Sequence, residues 1–130
     1  MRRGSRGVIA AAAAAGAVAA VAAIPAEATR RVFIDSRIGV ARAAPAFHGY
    51  VHSRHHDFCA PERKVKVFRE RPGKDELLGT DKTNEKGFWR VIVDPLASGA
   101  YYAKVTRLAT GAAGTIYVCR ADRSRVLVVD

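Results

Sequence analysis

The chain of 130 residues is long enough for one domain and too short for two of ordinary size. Its 22 Lys and Arg residues outnumber its 12 Asp and Glu residues, and the formal net charge is +10. A field of this sign favours anionic partners, but the same charge also keeps a small protein soluble without selecting a partner. The basic residues are spread along the chain rather than clustered, which favours the second interpretation.

The N-terminal segment over residues 1–28 has the parts of a secretory signal peptide. Arg2, Arg3 and Arg6 form a basic start, an uncharged apolar run covers residues 8–24, and small residues lead up to Ala28. The run has no polar residues at a helical period, as a packed soluble helix would, and it is too short and alanine-rich for a good membrane anchor. The sequence predicts cleavage, a secreted protein and no integral membrane span after cleavage.

Short β-branched or aromatic runs follow, separated by Gly, Pro, Asn and Asp, and no segment shows a helical period. In chain order, the predicted strands are RVFID, RIGVA, AFHGYVHS, RKVKVFRE, LLGTDKT, FWRVIVD, AYYAKVTR, TIYVCR and SRVLVVD. RPGKDE, NEKG and PLASG read as turns, and LATGAAG as a flexible loop. Val65 and Val67 alternate with Lys64 and Lys66, and Trp89 is expected in the core. Turns spaced by roughly eight to twelve residues predict an all-β antiparallel sandwich of about seven strands.

The two cysteines, Cys59 and Cys119, are predicted to form a disulfide. An exported protein enters an oxidising compartment, and the close Cys-x-x-Cys spacing of a reactive thiol pair is absent. In the chain-entropy model a crosslink over so long a loop contributes roughly 4 kcal/mol.

One set of motifs resembles a known family. FHGYV, a Cys in the next loop, RKVKVFRE, PGKDELLGTDKTNEKGFWRVIV, SGAYYAKV and YVC occur in an order similar to that of the carboxypeptidase regulatory-like, transthyretin-related β-sandwich superfamily. More closely, the chain is similar to small exported bacterial proteins built from one such domain. The resemblance implies an Ig-like or transthyretin-like sandwich over residues 46–130, preceded by an N-terminal extension over residues 29–45 with one or two short strands. Most domains of this superfamily have no known catalysis and act as stabilising or interaction modules.

Catalytic patterns are weak in this sequence. The superfamily's hydroxyisourate hydrolases end in Tyr-Arg-Gly-Ser, whereas this chain ends in RVLVVD. Ser53, His55 and Asp57 are neighbours in one extended segment and would point in alternate directions, unlike a converging triad. Asp75 and Glu76 lie in a turn, where solvated carboxylates are common. We therefore expect a non-enzymatic protein without a cofactor.

All four histidines lie in the stretch HGYVHSRHHDFC, which raises the question of a metal site. His48 and His52 would share a strand face but lie roughly 13 Å apart, too far to share one ion. His52, His55, His56 and Asp57 are weak candidates that require a turn at Ser53. A solvated loop is the preferred interpretation, with weak metal binding as an alternative.

The segment TDKTNEKG offers oxygen ligands in Asp81, Asn84 and Glu85, but it does not match the EF-hand calcium loop. A β-turn with Gly87 at a positive φ explains the same residues.

A basic surface is the remaining positive hypothesis. The candidate polyanion patch is Arg63, Lys64, Lys66, Arg69, Arg71, Arg120, Arg123 and Arg125, with Phe68 or Tyr102 nearby. Aromatic rings between basic strands are typical of single-strand binders, although lysines also protect sheet edges. The expected partner is an extracellular protein or an anionic envelope polymer, and the protein is expected to be a monomer.

Overall fold

The structure, a computed structural model, describes residues 29–130, so the predicted signal peptide lies outside the described residues. Within this part the chain forms one helical turn and twelve strands. The elements are β1 (Arg30–Ile34), β2 (Arg37–Ile38), β3 (Ala41–Ala43), β4 (Ala46–His52), α1 (His56–Cys59), β5 (Lys64–Arg69), β6 (Glu76–Lys82), β7 (Phe88–Ile92), β8 (Gly99–Val105), β9 (Leu108–Ala112), β10 (Thr115–Cys119), β11 (Asp122–Arg123) and β12 (Leu127–Val129). The all-β class is confirmed. The count exceeds the expected seven partly because β2, β3, β11 and β12 have only two or three residues each.

Two antiparallel sheets pack face to face as a β-sandwich. The five-stranded sheet has the order β11-β8-β5-β6, with β12 also on β8. In the four-stranded sheet, β4 pairs with β2 and β3 along one edge and with β7 along the other. The rings of Phe47 and Tyr101 meet across the core at 5.1 Å between centroids. Trp89 is fully buried in the same core, as predicted.

A third sheet, of three strands, lies outside the sandwich core. Its order is β1-β10-β9, with β1 parallel and β9 antiparallel to β10. Ile34 packs there with Cys59 and Cys119, which form the predicted disulfide. The LATGAAG segment is not a flexible loop, so that prediction is wrong: it forms β9 and the turn into β10, because pairing with β10 satisfies its backbone groups.

The segment over residues 29–45 contributes more than the one or two short strands expected of it. It contains β1, β2 and β3, and β1 is hydrogen-bonded to β10 from near the other end of the chain. The segment therefore contributes strands to two of the three sheets.

Alternation along the strands places the core side chains as the sequence predicts. Val65 and Val67 of β5 are fully buried, and Lys64, the first residue of the same strand, points to solvent. Gly87 has a φ of +82°, and a Cβ there would lie 2.5 Å from the carbonyl oxygen of Val51. The TDKTNEKG segment is thus a tight turn that requires glycine.

The same turn uses its polar side chains for backbone hydrogen bonds. The Asn84 side-chain oxygen accepts from the backbone N–H groups of Lys86 and Phe88, and the Asp81 carboxylate accepts from that of Arg90 at 2.8 Å. These hydrogen bonds explain why Asp81 and Asn84, two of the possible calcium ligands, occur in this segment.

Arg63 is fully buried and joins the sandwich to the three-stranded sheet. Its Nη1 donates to Ser36 Oγ at 2.9 Å and to the carbonyl oxygen of Cys59 at 2.7 Å. Its Nη2 donates to the carbonyl oxygens of Thr106 and Arg120 at 2.9 and 3.0 Å. Ser36, Thr106 and Arg120 lie in the three connections by which the chain passes between the two units.

No carboxylate among the described residues forms an ion pair with Arg63, so carbonyl and hydroxyl dipoles alone solvate its charge. Burial lowers the pKa of Arg63 to about 10, which leaves the guanidinium charged at neutral pH. Four acceptors hold one cation at the centre of the fold.

We expect Arg63→Met to lower the free energy of unfolding by about 3 kcal/mol, because its buried acceptors would lose their donors. Urea unfolding followed by Trp89 fluorescence measures the change. Arg107→Met, which removes an exposed arginine, is the control and should change stability by less than about 0.5 kcal/mol. Equal losses in the two variants would contradict the role assigned to Arg63.

We also expect removal of the disulfide in a Cys59→Ser/Cys119→Ser variant to cost roughly 4 kcal/mol, since the crosslink spans a sequence separation of 60 residues. Thermal unfolding of the oxidised protein and the variant compares the two. An unchanged midpoint would show that the crosslink does not constrain the unfolded chain.

Candidate polyanion-binding face

The structure removes Arg63 from the predicted polyanion patch. Its side chain is fully buried and all its hydrogen bonds are internal, so it offers no charge to a ligand. That part of the prediction is wrong, because the Arg-Lys-Val-Lys alternation turns Arg63 and Val65 inward and Lys64 outward.

Three cations from three neighbouring strands form a row on the outer face of the five-stranded sheet. Lys66 of β5 lies directly opposite Lys104 of β8, which lies directly opposite Arg123 of β11. Next to this row, Lys64 of β5 lies opposite Lys82 of β6. We call these five residues the basic face. Lys64, Lys66 and Arg123 were predicted from the sequence. Lys82 and Lys104 were missed, because their place beside Lys64 and Lys66 depends on which strands pair.

The basic face is only partly neutralised. Lys82 pairs with Glu62 at 3.5 Å, and Arg123 pairs with Glu70 at 3.1 Å. Within residues 29–130, Lys64, Lys66 and Lys104 take part in no salt bridge. Like charges directly opposite each other cost a sheet roughly 0.2–1 kcal/mol per pair, so this arrangement opposes folding. An anion across the row would relieve the repulsion.

The aromatic rings beside the row pack against each other and against Arg123 instead of presenting a stacking surface. Phe68 stacks on Tyr102 with 5.3 Å between centroids, and the Arg123 guanidinium lies 3.7 Å from the Tyr102 centroid. Tyr102 is only 6% exposed. The tyrosine thus fixes the position of Arg123 through a cation–π contact, and its ring is not free to stack on a base.

Asp75 is hydrogen-bonded to the hydroxyl group of Tyr102. Its carboxylate accepts a hydrogen bond from the tyrosine hydroxyl and another from the backbone N–H of Arg71. These bonds, and the charge of Arg123, lower the pKa of Asp75. Burial and the bond to Asp75 raise the pKa of Tyr102. The Asp75–Tyr102–Arg123 chain fixes one end of the basic face.

A shallow depression lies beside the row. Its volume is about 390 Å³, and Tyr102, Lys104 and Arg123 line it together with Asp122. The Asp122 carboxylate accepts a hydrogen bond from the backbone N–H of Ile38 at 2.9 Å. Two cations of the row, Lys104 and Arg123, thus line a shallow concave surface together with one carboxylate.

Three other arginines of the predicted patch lie apart from the row. Arg69 donates to the carbonyl oxygen of Ser98, and Arg71 pairs with Glu76 at 3.4 Å. Arg125 donates to the carbonyl oxygen of Val40 at 3.4 Å.

The fourth, Arg120, forms a salt bridge with Asp35 at 3.6 Å and lies over the Phe33 ring, beside the three-stranded sheet. All four are bound to other groups of the chain. The basic face is therefore narrower than the sequence indicates.

The histidines divide between two places. His48 and His52 lie on β4, and His56 lies in α1 with His55 just before it. Among the described residues no three His, Cys, Asp or Glu side chains lie close enough to hold a metal ion. The structure does not bring His52, His55, His56 and Asp57 together as a ligand set.

Two of the three residues considered for a catalytic triad, Ser53 and His55, are joined by a local hydrogen bond to the backbone. The Ser53 hydroxyl accepts a hydrogen bond from the backbone N–H of His55 at 3.2 Å. The absence of catalysis stays a prediction.

Comparison with family models and with curated proteins found no match to this chain. In the part of the chain covered by the structure, none of the helices has the length and apolarity needed to cross a membrane.

We expect acidification to remove the contribution of Asp75 to stability. A carboxyl whose folded pKa is lowered stabilises the fold above its ordinary pKa of 3.8 and loses that contribution as the pH falls through the lower, folded value. Asp75→Asn should therefore flatten the loss of stability between about pH 5 and pH 2. Urea midpoints across this range measure it, with Asp57→Asn in α1 as the control. Superimposable profiles for Asp75→Asn and the unchanged protein would contradict this.

Proposed function

We propose that this chain is an exported, non-enzymatic β-sandwich protein that binds anionic polymers through its basic face. The observation that carries the proposal is the cross-strand row of Lys66, Lys104 and Arg123. Repulsion within such a row lowers stability, and a polyanion supplies the missing countercharge.

Export is part of the proposal. Residues 1–28 act as a cleaved signal peptide, residues 29–45 as an N-terminal extension, and residues 46–130 as the sandwich domain. The Cys59–Cys119 disulfide supports this, because disulfides persist mainly in oxidising compartments. The protein acts outside the cell as a monomer.

The transthyretin-related, carboxypeptidase regulatory-like family remains the proposed relationship. Two packed antiparallel sheets and the tight turn at Gly87 support it. Family members of this kind act as structural or interaction modules, which agrees with a binding role for a surface rather than a cleft.

Binding through the basic face should depend strongly on salt. We expect the exported protein to bind long-chain inorganic polyphosphate, with an affinity that falls linearly with salt on logarithmic axes. Lys66→Gln/Lys104→Gln should weaken binding and make the salt slope shallower by about 2, since each lysine lost removes about one released counterion. Titrations by calorimetry at several NaCl concentrations give both quantities.

The matched control is Lys74→Gln/Lys86→Gln, which removes the same charge from exposed turns away from the row. Equal weakening by both double variants would show that net charge, and not the basic face, attracts the polymer. Absence of binding at low salt would overturn the proposal.

A further inference from the structure

The outer face of the four-stranded sheet carries a column of aromatic rings. β4 turns His48, Tyr50 and His52 outward, because Phe47 and the other alternate residues point into the core. Phe88 of β7 lies directly opposite Tyr50, with 5.3 Å between ring centroids and an angle of 61° between the rings. The four rings form one continuous group, since His48 lies 6.2 Å from Phe88 and His52 lies 6.0 Å from Tyr50.

Small residues leave one side of this column open. Gly39 donates a backbone hydrogen bond to the Tyr50 carbonyl, and Ala41 lies opposite His48. The middle of this edge, beside Tyr50 and His48, therefore carries no large side chain, and Tyr50 is 44% exposed. Tyr50 and His52 are exposed, and His48 and Phe88 are half-buried. A continuous group of solvent-accessible aromatic side chains on one sheet face is a typical mark of a binding surface.

Arginines stand next to both ends of the column. Arg37 of β2 lies opposite His52, and Arg90 of β7 lies opposite His48. Both arginines are exposed. We call the four rings and these two arginines the aromatic face.

Two carboxylates near the aromatic face, Asp35 and Asp81, have partners of their own. Asp35 pairs with Arg120 at 3.6 Å, and Asp81 accepts the backbone N–H of Arg90 at 2.8 Å. None of the six residues of the face is acidic. The charge of the face complements a ligand that carries carboxylates.

We propose that the aromatic face binds a chain of acidic sugars, of the uronate type. The C–H side of a sugar ring carries partial positive charge and packs on the electron-rich face of an aromatic ring. Arginine matches a carboxylate with two parallel hydrogen bonds, so Arg37 and Arg90 suit the acid groups of the same chain. This site lies on a different sheet from the basic face and shares with the proposed function only the extracellular setting.

A single-stranded nucleic acid is the less suitable occupant. Its successive bases lie nearly parallel, whereas the neighbouring rings Tyr50–His52, His48–Phe88 and Tyr50–Phe88 are inclined by 30°, 36° and 61°. A disulfide-bonded protein also meets envelope sugars in an oxidising compartment rather than intracellular nucleic acid.

The test uses the full chain, produced through an export route so that the disulfide forms. The probes are a tetramer of galacturonate, a neutral glucose tetramer and a short oligothymidylate, titrated by calorimetry and by amide chemical-shift mapping. We expect the galacturonate tetramer to bind, with shifts concentrated in β4 and β7, and Tyr50→Ala to weaken binding by roughly tenfold. Tyr50→Phe, which keeps the ring, should stay within about threefold. Phe33→Ala is the matched control, because Phe33 is 47% exposed on another sheet and should leave binding unchanged.

Any of five results would overturn the proposal. Unchanged binding in Tyr50→Ala, or tighter binding of oligothymidylate than of galacturonate, excludes an acidic sugar on this face. If Lys66→Gln/Lys104→Gln abolishes galacturonate binding and Tyr50→Ala does not, the sugar binds to the basic face. That result refutes this inference and leaves the proposed function intact. Binding of polyphosphate without any binding of galacturonate also refutes this inference and leaves the proposed function intact. Binding of neither probe refutes both proposals.

Discussion

The fold depends on one buried guanidinium. Burying a charge costs several kcal/mol unless hydrogen bonds replace its hydration, and Arg63 donates four of them to oxygen atoms far apart in sequence. Three of these acceptors belong to the three connections between the sandwich and the three-stranded sheet. The disulfide closes the same junction, since Cys59 both supplies a carbonyl to Arg63 and bonds to Cys119. A hydrogen-bonded cation and a covalent bond thus hold together two units with separate apolar clusters.

The position of Arg63 also determines what the five-stranded sheet presents to solvent. Arg63 immediately precedes β5, and its inward side chain fixes Val65 and Val67 inward and Lys64 and Lys66 outward. β5 lies between β8 and β6, and residues directly opposite each other in a sheet point to the same side. The orientation of the β5 side chains therefore determines which side chains of β8 and β6 point to solvent. The row of cations is therefore a consequence of how the core is anchored, and the stability that the repulsion removes is supplied elsewhere in the fold.

Local patterns predicted much of this structure. Alternation placed Val65, Val67 and Trp89 in the core and turn chemistry placed Gly87, while the predicted export signal together with two cysteines predicted the disulfide. Those features depend on neighbouring residues or on composition. They required no knowledge of which strands pair.

Features that depend on distant residues were not predictable. Arg63 resembles a surface arginine in sequence, since its acceptors lie 27, 43 and 57 positions away as well as in the adjacent helical turn. The place of Lys104 opposite Lys66 requires the pairing of β5 with β8. The glycine- and alanine-rich β9 becomes a strand because β10 supplies its hydrogen bonds, which outweighs its low strand propensity. Strand alternation placed His48 and His52 on one face, whereas the contact between Tyr50 and Phe88 depends on the pairing of β4 with β7.

The most direct test of the central claim, that a charged Arg63 joins the two units through the four hydrogen bonds of its Nη groups, is nuclear magnetic resonance of its guanidinium protons. At neutral pH we expect separate Nη resonances that exchange slowly with solvent, because all four acceptors restrain the group. The exposed Arg107 gives the comparison within the same spectrum. A single averaged Nη signal from Arg63, exchanging as fast as that of Arg107, would contradict the account.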